Sequence, residues 1–123
     1  MHVKLGLGLA LLTVMGGAPA FAQSSCSAPI PPAAPDGRTA TQQQMVGAVG
    51  DAKSFIAQSD VYQQCLLDYV QAQKDQATKD KKPFDASIES TAMKQVADNQ
   101  AAKVKAGSDI NTAIGDYKAA HPK

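Results

Sequence analysis

From Thr41 onward, small and apolar positions return in alternating steps of three and four: Met45, Ala48, Ala52, Phe55, Ser59, Tyr62, Leu66 and Tyr69. This is the heptad-type stripe of an amphipathic helix, widened by Val49, Ile56 and Val70, with Gln, Lys and Asp on the remaining faces. Thr41-Gln42-Gln43-Gln44 fits a capping box, in which the threonine oxygen accepts from an orphan N–H while Gln44 reaches back. The pattern fades near Ala77. Thr78-Lys79-Asp80-Lys81-Lys82-Pro83 then reads as a reversal, because a proline disfavours helical geometry at the residue before it. A second stripe opens at Asp85, a good N-cap, and runs through Met93, Val96, Gln100, Lys103, Gly107, Ile110, Ile114 and Tyr117 to the terminal His121-Pro122-Lys123. Gly107 and Gly115 each cost about 1 kcal/mol against alanine inside a helix, so a frayed or kinked stretch is expected between Ala106 and Asp109.

These signals predict an all-α fold: a long antiparallel two-helix hairpin, with helices at about 41–77 and 85–119, each about 50–55 Å long. Centring the hairpin near residue 81 pairs Tyr69 with Met93, Leu66 with Val96, Tyr62 with Gln100 and Ser59 with Lys103. It also pairs Phe55 with Gly107, Ala52 with Ile110, Ala48 with Ile114 and Met45 with Tyr117. Large residues fall opposite small ones, as interdigitating layers require. No strand signal or internal repeat is present.

Residues 23–40 are a different material. Pro29, Pro31, Pro32 and Pro35 favour an extended, polyproline-like arm, and Pro35-Asp36-Gly37 makes a turn before the hairpin of residues 41–120. Further upstream, Met1 to Lys4 form a short basic start, Leu5 to Val14 an apolar run, and Ala20-Phe21-Ala22 a small-residue cleavage pattern. Residues 1–22 therefore read as a signal peptide. The apolar run ends in Gly16, Gly17 and Pro19, and is too short to span a membrane core of about 30 Å. A lipid anchor at Cys26 is disfavoured, since Gln23-Ser24-Ser25 lacks the Leu-like residue such anchors carry three places earlier.

Export places Cys26 and Cys65 in an oxidising compartment. Cys65 lies about 36 Å along the first helix from Thr41, and the fifteen residues between Cys26 and Thr41 can span about 46 Å as a polyproline-like strand. The arm can thus turn back and reach Cys65. The rivals are an intermolecular disulfide and two free thiols. A redox-catalytic pair is disfavoured, because Cys-x-x-Cys spacing is missing and Cys65 has no basic neighbour in sequence.

Charge and composition narrow the function classes. Removing residues 1–22 takes away Lys4 and leaves eleven basic side chains facing eleven acidic ones, so bulk electrostatics draw in no nucleic acid. The strong apolar stock after residue 22 is thin: Leu66, Leu67, five isoleucines, six valines, Phe55 and Phe84. Stability must come from helix propensity, a covalent clip or a partner.

Catalysis finds little to work with. His121 alone remains beyond the signal peptide, so neither a histidine-based nucleophile system nor a multi-imidazole zinc site can be assembled in one chain. Asp51, Asp60, Asp68, Asp75, Asp98, Asp109 and Asp116 read as solvated helix surface. Gly47-Ala48-Val49-Gly50 lacks the Lys-Ser or Lys-Thr of a phosphate loop. Phe55, Tyr62 and Tyr69, seven residues apart, read as core and not as a stacking ladder. No cofactor is called for. Lys74, Lys79, Lys81 and Lys82 read chiefly as a solvated hairpin tip, with anionic contact as the functional alternative.

The run Cys26-Ser27-Ala28-Pro29, Pro32, Pro35-Asp36-Gly37, Thr39-Ala40-Thr41, Met45 and Phe55 to Cys65-Leu66 resembles small exported proteins of uncharacterised function in Gram-negative bacteria, alphaproteobacteria especially. The second half matches through Asn99, Asn111-Thr112-Ala113-Ile114 and Tyr117-Lys118. The resemblance implies a periplasmic helical hairpin with paired cysteines and brings no activity. Likeness to periplasmic chaperones of the Spy type is architectural only, since their Leu-Thr-x-x-Gln repeats are missing. The expectation is a non-enzymatic periplasmic scaffold that binds an envelope protein or a second copy of itself. An envelope-surface module for anionic lipid or polysaccharide is the alternative.

Overall fold

The computed structural model describes residues 25–123; the signal-peptide reading of residues 1–22 lies outside them. Two helices, α1 (Gln42–Lys79) and α2 (Ala86–Ala120), pack against each other as a hairpin. At 1.5 Å per residue they are about 57 and 52 Å long.

The ends follow the sequence signals. Gln44 N donates to Thr41 Oγ1 at 3.1 Å and Thr41 N to Gln44 Oε1 at 2.8 Å, completing the capping box. Asp85 caps α2 by accepting from Ser87 N at 2.9 Å and Ser87 Oγ at 2.7 Å. At the end of α1, Lys82 N donates to Ala77 O and Lys81 N to Thr78 O, the bonding pattern of a Schellman motif. Lys81 sits at its left-handed position, φ 51°, where glycine is the usual occupant. Lys81→Gly is expected to raise stability by about 1 kcal/mol by removing the steric cost at Cβ, read as a higher urea midpoint.

The buried stripe of α1 is the expected one: Met45, Ala52, Phe55, Ser59, Tyr62 and Leu66 are buried, and Val70 replaces the half-buried Tyr69 at the far end. The stripe of α2 requires correction. Ala92, Asn99, Ala106 and Ala113 face inward where Met93, Gln100, Gly107 and Ile114 were expected, while Ile110 stays buried. Val96, Lys103 and Tyr117 remain on the half-buried margin. The axial register is the expected one, since Lys74 meets Glu89 and Gln63 meets both Asn99 and Gln100. The helix is rolled by about one residue about its own axis.

The arm explains the roll. α2 serves two neighbours, α1 and the returning arm, and its alanines admit both. Cys26 packs against the cluster of Tyr62, Leu66, Val70 and Ala92. At the other end Ala40 and Met45 pack against Ala113. The expected pairs change accordingly: Ser59 meets Asn99 instead of Lys103, and Lys103 reaches Asp60. Gln100 is exposed and accepts from Gln63, so it does not partner Tyr62. Gly107 has open space where a side chain would begin, so Phe55 does not press on it. Nor is there a break between Ala106 and Asp109, because α2 is continuous across both glycines.

Burial along the arm has a period of three. Cys26, Pro29, Pro32 and Pro35 are half-buried, and the residues between them are exposed. A polyproline II strand repeats every three residues, so one edge of the arm lies on the helices. The turn then docks. Asp36 O accepts from Thr39 N at 3.1 Å and Ala40 N at 2.9 Å. A Cβ on Gly37 would lie 2.0 Å from the backbone oxygen of Ala113. Gly37→Ala should therefore lift the turn off α2 and cost about 1–3 kcal/mol, the range for overpacking, measured by urea denaturation.

Two exposed carboxylates in these caps and turns are tuned by their neighbours. The Arg38 amide, and secondarily its guanidinium, hold Asp36 below the ordinary carboxylate value. The Ser87 hydroxyl, then its amide, do the same for Asp85. A depressed carboxylate favours the fold fully above its unfolded pKa of about 3.9. That contribution is lost as pH falls through the lower folded value. The urea midpoint should therefore drop more steeply below about pH 4 in the parent than in an Asp36→Asn, Asp85→Asn variant.

Candidate functional site

Cys65 stands at mid-height on α1, just off the buried stripe, which turns its side chain toward the flank where the arm runs. The arm brings Cys26 there, and the two form a disulfide with a Cα–Cα distance of 5.8 Å. Geometry agrees with the chain lengths. From Cys26 to Pro35 a polyproline strand covers about 28 Å, and from Cys65 back to Met45 the helix covers about 30 Å.

The hairpin has two flanks, and they are closed differently. Opposite the arm, polar bridges span the helices: Lys74 to Glu89 at 3.0 Å, Gln63 to Asn99 at 2.8 Å, and Lys103 to Asp60. A polar layer extends inward from them, with Asn99 Nδ2 donating to the fully buried Ser59 Oγ at 3.1 Å. On the arm side the surface is largely apolar. Two shallow grooves, about 540 and 780 Å³, meet at the disulfide and share Ser25, Cys26, Val61 and Cys65. One continues along α1 past Tyr69 to Ala72, the other along the arm to Ile30 and back to Ala57. Val61 is 71% exposed and Ile30 88%. Among the groove-lining residues Asp68 is the sole charge, and it accepts from Gln64 at 2.9 Å. From Ala57 to Ala72 the strip runs about 22 Å.

No family model, curated protein or solved structure matches this chain. Its site must be read from its own residues.

The lysines are only partly brought together. Lys79, Lys81 and Lys82 are exposed at the hairpin tip. Lys74 is half-buried and engaged between the helices, with Nζ on Glu89 and 5.5 Å above the Phe84 ring. Asp75, Asp80, Asp85 and Glu89 interleave with the four, so residues 74–89 are formally neutral. His121 closes α2, stacked on Tyr117 with ring centroids 4.2 Å apart and its Nδ1 2.9 Å from the Tyr117 carbonyl oxygen. Phe55 and Tyr62 are core residues. Among the described residues no group of three or more His, Cys, Asp or Glu could hold a metal ion. No helix among them is long and apolar enough to cross a membrane.

Sequence reasoning missed the strip. Val61 and Ile30 fall outside the heptad stripe, and a lone apolar residue on a polar face carries little information by itself. The usable signal was the step from Ala57 to Val61 to Cys65, one helical turn each, which puts two apolar residues on the cysteine's flank.

Proposed function

We propose that this chain is a non-catalytic interaction protein of the cell envelope, exported to the periplasm, which meets a partner protein through the apolar strip beside its disulfide. One observation carries the reading: two grooves that meet at the disulfide, lined largely by apolar residues such as Ile30, Ala57, Val61 and Ala72 and carrying Asp68 as their sole charge, lie on the side of the hairpin that polar bridges leave open. Apolar surface gathered in one place marks contact sites more reliably than the same residues scattered. A neutral strip selects an apolar segment of a partner and makes binding insensitive to salt, unlike an anionic-surface contact at the lysine tip. The balanced charge of residues 74–89 gives that second reading less support.

A photo-crosslinking side chain at position 61 tests it, with position 108, on the exposed outer face of α2, as control. The expected result in envelope extract is a discrete hetero-adduct at 61 that persists in 0.5 M salt and is missing at 108. An adduct with the mass of two copies reassigns the strip to self-association, and equal labelling at both positions ends the reading.

A further inference from the structure

The arm lies across the hairpin under unequal restraint. Its C-terminal end is tied by the turn hydrogen bonds of Asp36, by the seating of Gly37 against α2 and by the packing of Ala40 on Ala113. Residues 25–35, by contrast, make no backbone–backbone hydrogen bond to either helix among the described residues. Every third side chain is half-buried. Ser27, Ala28, Ile30, Ala33 and Ala34 are exposed. Holding these non-proline residues in one conformation costs chain entropy, which the half-buried Pro29, Pro32 and Pro35 offset in part. The Cys26–Cys65 bond is the covalent fastening at this end.

That bond is also reachable. Both surface grooves open onto it, and neither cysteine is fully buried. Under it lies the main apolar cluster, Tyr62, Leu66, Val70 and Ala92, against which Cys26 packs.

We propose that the arm is a redox-releasable strap. A dithiol reductant attacks one sulfur as its thiolate, the Cys26–Cys65 bond breaks, and the other cysteine leaves as a thiolate that takes up a proton. The reductant's second thiol then displaces the first cysteine from the mixed disulfide. Two electrons pass to the protein, which ends with two thiols while the reductant ends as a disulfide. The arm pivots on the Asp36–Ala40 turn, residues 25–35 leave the helices, and the cluster around Leu66 gains an open side. The cysteines are acted upon here and catalyse nothing, consistent with their lack of Cys-x-x-Cys spacing.

Backbone ¹⁵N relaxation of the full chain, oxidised and after dithiothreitol, decides the matter. On reduction the heteronuclear NOE of residues 27–34 should fall to values typical of free chain. Amide dispersion across 42–79 and 86–120 should persist, and binding of an apolar-surface dye should rise severalfold and reverse on reoxidation. Cys26→Ser should reproduce the reduced spectrum without any reductant. An arm that keeps its rigid NOE values in the reduced protein overturns the strap. So does collapse of the helical amides in either the reduced protein or the variant, since the bond would then be a staple of the whole fold.

Discussion

Cys65→Ser lowers the free energy of unfolding by at most about 4 kcal/mol, the chain-entropy value for cross-linking residues 39 apart. The bond acts mainly on the unfolded chain, whose ensemble it restricts by tying residue 26 to residue 65. Cys26→Ser, which removes the same bond, should cost the same, and the double variant no more than either single one. The measured loss falls short of the ceiling by whatever freedom the native arm regains once untied, since ordering backbone costs roughly 1–2 kcal/mol per residue. Urea denaturation followed by helical circular dichroism gives the number. A loss below about 1 kcal/mol would mean that the untied arm regains nearly as much freedom as the unfolded chain does, or that the unfolded chain is already compact about these residues. A loss well above about 4 kcal/mol would mean that the bond supports native packing directly. The effect matters because the apolar stock is small: buried alanines outnumber buried leucines, isoleucines and valines together in the core.

How far the sequence carries depends on residue size. Where α1 uses Phe55, Tyr62 and Leu66, the inward face is legible, because no other placement hides so much apolar area. Where α2 uses alanine, it is not. Ala92, Ala106 and Ala113 have nearly the same cost exposed or buried, so periodicity weighted by bulk chose Met93 and Ile114 instead, and their spacing carried Gly107 along with them. The deciding influence was tertiary. A chain segment fifty or more residues away lies against α2 and needs small residues beneath it, which no window along the helix can reveal. Asn99 was legible only in hindsight: its amide lies inward because Ser59 and Gln63 together satisfy it. One polar layer of this kind penalises every other register, since a slip would bury the amide unpaired. That Cys26 can reach Cys65, in contrast, was legible from lengths, because a stiff arm and a stiff helix both have a fixed rise per residue; lengths left an intermolecular bond and free thiols open, and the structure shows the bond within one chain. The apolar strip was not, because it is assembled from both and belongs to neither.

Leu66→Ala is expected to cost about 3 kcal/mol, within the range for deleting a buried leucine side chain and leaving part of the cavity unfilled. Leu66 is 0% exposed and sits at the centre of the cluster formed with Tyr62, Val70 and Ala92. The neighbours that could relax into the gap are held in place: Tyr62 and Val70 by the same helix, Ala92 by hairpin register, Cys26 by its bond. For a domain of about a hundred residues the loss corresponds to a fall in Tm of roughly 12–20 °C. Leu67→Ala, one residue on and 43% exposed, should change stability by less than about 1 kcal/mol, which separates burial from helix propensity. The cost should also depend on the arm. With Cys26→Ser in the background, the cluster has already lost one wall, so Leu66→Ala should destabilise less than it does in the oxidised protein, with a coupling of about 0.5–1 kcal/mol in the double-mutant cycle. Strict additivity would show that the arm and the core are energetically separate, and that the disulfide acts through the unfolded chain alone.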